Sequence, residues 1–165
     1  TFSISVTGAA IVADAQVRAA NDKELLLQAT QILEQPPFHE KAKDFRAWAT
    51  RYVIETKDVS VVVCGGKRLE PIRDKKNKYG CDLLAQYMMG MAAFKLSNPD
   101  RAADEDAAQS AGMESAVRAY EAMVKEKPKA LSAGMYDLFT KRNNVDLKKM
   151  VEEAKYGKGK TDPVK

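Results

Sequence analysis

Leu83-Leu84-Ala85-Gln86-Tyr87-Met88-Met89-Gly90-Met91-Ala92-Ala93-Phe94-Lys95-Leu96 places Leu83, Leu84, Tyr87, Met88, Met91, Ala92 and Phe94 on nearly every side of a helical wheel. A helix apolar all round has no face to offer water, so it belongs in the middle of a bundle, and the spacing predicts it over 82–96. Working outward, residues 97–112 read as a polar loop, with Asn98-Pro99-Asp100 as a turn and Asp104-Glu105-Asp106 as an acidic cluster. A second helix is expected over 113–127, with Ala116, Val117, Tyr120, Met123 and Val124 inward, Arg118 outward and Pro128 as its stop. Two short amphipathic segments, 131–141 and 145–155, follow around an Asn143-Asn144 turn.

On the N-terminal side, Asn21 and Glu24 stand at capping-box spacing before Leu25, Leu26, Ala29, Ile32 and Leu33, and Pro36-Pro37 must end that helix. Ala42, Phe45, Trp48, Ala49, Tyr52 and Val53 recur at helical steps, with Lys41, Lys43, Asp44 and Arg46 largely on the other side. These two segments predict an antiparallel hairpin. Val59 to Val63 favours a strand by intrinsic preference, but a lone strand has no partner unless residues 2–6 supply one, so a short buried helix or an extended connector is expected. Gly65-Gly66 then opens a basic loop, 67–78, carrying Lys67, Arg68, Arg73, Lys75, Lys76 and Lys78.

The fold class is therefore all-α, with antiparallel helical hairpins arranged as a short stacked array or an irregular bundle. A chain of 165 residues supports one domain, read here as 16–155, with an arm at 1–15 and a basic, glycine-rich flexible tail at 156–165. A hydrophobic fraction of 45% with 30% charged residues is that of a folded, well-solvated chain. The longest apolar stretch near the N-terminus falls short of the roughly 20 residues a membrane helix needs.

Part of this pattern resembles the tetratricopeptide repeat, a helix–turn–helix unit of about 34 residues. Met89-Gly90 stands where the family has Leu-Gly, and Ala116, Tyr120 and Pro128 match the Ala, aromatic and Pro of its second helix. Gln86 replaces the family tryptophan, Ala93 replaces the first-helix tyrosine, and the turn between the helices is longer by roughly 14 residues. The resemblance covers 84–128. It implies that the first helix lines a concave groove, turning Leu84, Tyr87, Met91, Phe94 and Lys95 towards a protein or peptide ligand. The same stripe, read from its residue types alone, is core.

Catalytic chemistry is thinly represented. The single histidine, His39, sits beside Glu40 at the start of a helix, where surface exposure is the ordinary reading. Cys64-Gly65-Gly66 could present a reactive thiol, but only His39 could accompany it. Gly157-Lys158-Gly159-Lys160-Thr161 has the ending of a phosphate loop, yet Ala154 occupies the place of its first glycine and only four residues follow. No metal spacing and no cofactor fingerprint are present, and the acidic cluster at Asp100, Asp104, Glu105 and Asp106 lacks the ligand order of a calcium loop.

The expected function is thus a non-enzymatic scaffold or adaptor that binds another protein. The alternatives are a small helical enzyme using Cys64 or His39, and a nucleic-acid binder acting through the loop 67–78. With a net charge of +4 and Tyr79 as the loop's only aromatic neighbour, nucleic acid is not the expected partner. Ala13-Asp14-Ala15 after a weakly apolar run has the small-x-small pattern of a signal-peptidase site, which points to a periplasmic or secreted protein. In that setting Cys64 and Cys81 are expected to form a disulfide; in a cytoplasmic one they are two ordinary thiols.

Overall fold

The computed structural model describes residues 7–35, 38, 40–63 and 67–143, with side chains described from residue 20 to 141. The segments expected at 145–155 and 156–165 lie outside it, as do His39 and Cys64. Six helices are present among these residues: α1 (Thr7–Glu34), α2 (Ala42–Glu55), α3 (Glu70–Arg73), α4 (Gly80–Ser97), α5 (Glu105–Glu126) and α6 (Ala133–Asn143). Pro99–Arg101 and Pro128–Ala130 add single 3-10 turns. The all-α reading holds, and there is no strand among the described residues.

Three local expectations need correction. Asn21 does not cap a helix: α1 starts at Thr7 and runs through it, because Ala9, Ala10, Ala13, Ala15, Ala19 and Ala20 favour helix upstream and an interior Asn costs well under 1 kcal/mol. Glu24 instead accepts a hydrogen bond from the Gln28 side chain at 3.2 Å. The loop expected over 97–112 shrinks to 98–104, since Asp104 is the N-cap of α5, its carboxylate accepting from the Ala107 amide at 3.0 Å, with Glu105 and Asp106 in the first turn. The acidic cluster is a helix start, because carboxylates answer the free amides and the positive end of the helix dipole. Arg46, expected outward, is 9% exposed and sits 3.7 Å from Asp82 of α4.

Residues 59–63 form the extended connector. Val59 is buried and Val61 half-buried, while Val62 and Val63 are exposed. Among the described residues no strand pairs with the segment, and residues 2–6 lie outside them. Its carbonyls are met by helix side chains: Lys95 Nζ donates to Ser60 O at 2.8 Å and Gln109 Nε2 to Val62 O at 2.6 Å. Alternate carbonyls of an extended chain point the same way, which is why side chains from the neighbouring helices α4 and α5 can hold both. The following loop is not merely solvated. Leu69 and Ile72 are 1% and 0% exposed, and the buried Asn77 amide donates to Pro71 O and Ile72 O.

Pairings between side chains set the helix directions. Lys23 of α1 meets Asp58 just after α2, so α1 and α2 are antiparallel. Gly90 packs on Gly112 and Ser115 while Lys95 pairs with Glu105, so α4 and α5 are antiparallel as well. Thr30 meets Gln86 and Glu34 meets Arg118, which aligns α1 with α5 and against α4. Consequently α2 and α4 run in the same sense, and residues 56–79 must cross the length of the bundle to join them. Of the two arrangements expected from the sequence, this is the irregular bundle: a simple stack of hairpins would have α4 run with α1.

Two cores result, and α4 serves both. Leu83, Tyr87 and Met91 pack with Leu69, Ile72, Met113, Val117, Tyr120, Met123 and Met135, whereas Met89 and Ala92 pack with Leu26, Leu33, Ala49 and Val53. The two-sided burial answers the all-round apolar pattern of this helix.

Candidate functional site

Where α4 crosses α5, both helices carry glycine. A Cβ on Gly90 would stand 2.6 Å from the Ser115 Cβ and 3.0 Å from the Ala111 carbonyl, and one on Gly112 would stand 2.6 Å from the Tyr87 carbonyl. Only the missing side chains allow this approach.

The closeness brings a set of polar groups together at the junction with α1. Gln86, 1% exposed, donates from Nε2 to Thr30 O and to Ser115 Oγ, both at 2.9 Å. Ser115 Oγ donates in turn to Glu34 Oε1 at 2.5 Å. Arg118 closes on the same carboxylate with two bonds, Nε to Oε2 and Nη2 to Oε1, each 2.8 Å, and also reaches Glu114 at 3.1 Å. This is the bidentate geometry in which guanidinium and carboxylate bind most strongly. Hydrogen bonding to Glu34 holds the Arg118 guanidinium even more firmly protonated than usual, against the opposing pull of burial.

A groove of about 390 Å³ opens above this junction between α1, α4 and α5; Leu27, Ala93, Phe94 and Ala111 give it apolar walls, and Gln31 and Ser97 give it polar ones. Glu34, Glu114 and Arg118 line it too, one cation against two carboxylates. Of the five residues expected in a ligand groove, only Phe94 lines this one. Tyr87 and Met91 are 1% and 0% exposed in the core, Leu84 is half-buried against it, and Lys95 is 6% exposed, bonded to Ser60 O and paired with Glu105. Their stripe faces α5, α6 and the connector, which is the core reading of the same residues.

Cys81 is a free, exposed thiol in the first turn of α4, and its expected partner Cys64 lies outside the described residues. Among the described residues no group of three His, Cys, Asp or Glu could hold a metal ion, and no helix is long and apolar enough to cross a membrane. Burial lowers the Arg46 pKa, with Asp82 opposing, and burial raises that of Tyr52; both remain protonated near neutrality. The joint residues Glu34, Gln86, Ser115 and Arg118 went unpredicted. Gln86 alone carried a signal, as an amide on an otherwise apolar helix. No protein-family model, curated protein or solved structure matches this chain.

Proposed function

We propose that this chain is a non-enzymatic helical scaffold that holds another protein, exported to the periplasm or beyond the cell, with the α1/α4/α5 groove receiving a segment of its partner. The observation that carries the reading is how the buried polar side chains are used. Gln86, Ser115, Glu34 and Arg118 join α1 to the α4–α5 hairpin, and Lys95 and Gln109 fix the crossing connector. Groups tied into joints give a rigid surface rather than a reactive centre. The groove's chemistry defines its occupant: an apolar stretch against Leu27, Ala93 and Phe94, with a Lys or Arg at the end where two carboxylates face one guanidinium.

Ala93→Arg tests this, because Ala93 is half-buried on the groove wall and the larger cation fills the opening without entering either core. Affinity capture by the parent and by the variant, quantified side by side, should show a protein retained by the parent and lost by the variant, at matched thermal stability. Identical captured sets, or none with the parent, would refute the groove as the docking place.

A further inference from the structure

Three stretches far apart in the chain meet at one pole of the bundle, since α2 and α4 begin there and α1 and α5 end there. Phe38, between α1 and α2, lies ring to ring with Tyr79, the residue before α4, at 5.2 Å. Lys127, just beyond α5, sets its ammonium 3.6 Å from the Phe38 centroid, and Lys78 sets its own 5.8 Å from that of Tyr79. The two rings are thus flanked by two cations brought together from separate stretches of the sequence. Lys75, Lys76 and Lys129 stand exposed within three residues of them.

Lys125 pairs with Glu121, whereas Lys75, Lys76, Lys78, Lys127 and Lys129 form no ion pair among the described residues. Acidic neighbours in sequence are Glu40, Asp74, Asp82 and Glu126; Asp74 already accepts from the Lys76 amide to shape its turn, and Asp82 stands 3.7 Å from Arg46. Cations gathered in excess of the carboxylates beside them repel one another, and an anionic partner relieves that repulsion while steering its own approach. The rings hold Lys78 and Lys127 by cation–π attraction, so less freedom is lost when they engage a ligand.

We propose that this pole is a second docking surface and that it takes an acidic segment of another protein. A single-stranded nucleic acid fits it less well. Stacking needs an open aromatic face, and here both rings are half-buried against the core with lysine ammonium groups over them. The surface is separate from the α1/α4/α5 groove, so blocking the groove with Ala93→Arg leaves it intact and the two readings fail independently.

The test is fluorescence anisotropy of a labelled oligoglutamate titrated with the full chain, beside a labelled oligothymidylate. Saturable oligoglutamate binding that weakens as salt rises is expected. It should fall several-fold in Lys127→Glu and in Lys75→Glu/Lys76→Glu, the latter touching neither ring, and stay near the parent value in Lys57→Glu at the opposite pole. An equal loss in Lys57→Glu would reduce the effect to net charge and overturn the proposal. Tighter binding of oligothymidylate would overturn it in favour of nucleic acid.

Discussion

Removing the Tyr120 hydroxyl leaves the buried Ser132 amide without its partner, because that amide donates to the hydroxyl at 3.1 Å; the Ser132 carbonyl loses the hydroxyl bond at 3.2 Å but keeps the one from the Tyr136 amide at 2.9 Å. Tyr120→Phe is therefore expected to cost about 1–3 kcal/mol, and Tyr120→Ala about 3–5 kcal/mol through the added cavity. Denaturant melts measure both, and a Phe variant as stable as the parent would show the hydroxyl to be idle. The sequence placed Tyr120 inward correctly, from its phase with Ala116 and Met123. It placed Arg118 wrongly as a solvated side chain, since the phase of one helix cannot reveal that α1 brings Glu34 to its outer face. Arg118→Ala should cost roughly 1 kcal/mol rather than a few tenths, a hydrogen-bonded charge discounted for the 36% exposure of the guanidinium side chain. Cys81 gives a separate check on export. If it pairs with Cys64, alkylation without reductant leaves the mass of protein made under oxidising conditions unchanged; two alkylated thiols would count against the bridge.

Gly90→Ala weighs two opposed effects. Helix propensity favours alanine by about 1 kcal/mol, but the new Cβ meets the Ala111 carbonyl and the Gly112 Cα at 3.0 Å, backbone that cannot rotate away. Overpacking of about 1–3 kcal/mol should win, and a stabilised variant would mean that α4 and α5 do not touch there. The start of α5 carries a pH dependence. Bonds from Arg101 and the Ala107 amide hold the Asp104 carboxyl below its ordinary range, so the stability it lends is present above that range and is lost as acid protonates it. Asp104→Asn keeps a capping side chain without the charge, and its stability should fall less than the parent's between about pH 6 and about pH 2. An unchanged acid response would assign the effect elsewhere. The elements most legible in sequence were those with proline stops and clear stripes, α2 and the ends of α1 and α5. The start of α5 was misread because Asp104-Glu105-Asp106 looks like a solvated loop unless its acids are seen as a helix N-terminus.

Hairpin order is where local reading could not reach. Each hairpin follows from short connections, but nothing in the stripes of 25–33 or 83–96 says whether the second pair repeats the first or reverses it. The long crossing segment decides it, held by Lys95 and Gln109 through backbone carbonyls whose acceptance is independent of their residue type. The reversal places α1 beside α5, and only then do Glu34 and Arg118 meet, the groove form and the lysines gather at one pole. Spin-label distances test it directly, with labels at Lys41, Lys78 and Ser97 in protein whose native cysteines are serine. Lys41 and Lys78 should lie close together at one pole, and Lys41 and Ser97 should be separated by about the 27 Å length of α4. The reverse order, Lys41 near Ser97 and far from Lys78, would be a simple stack of hairpins and would contradict the account.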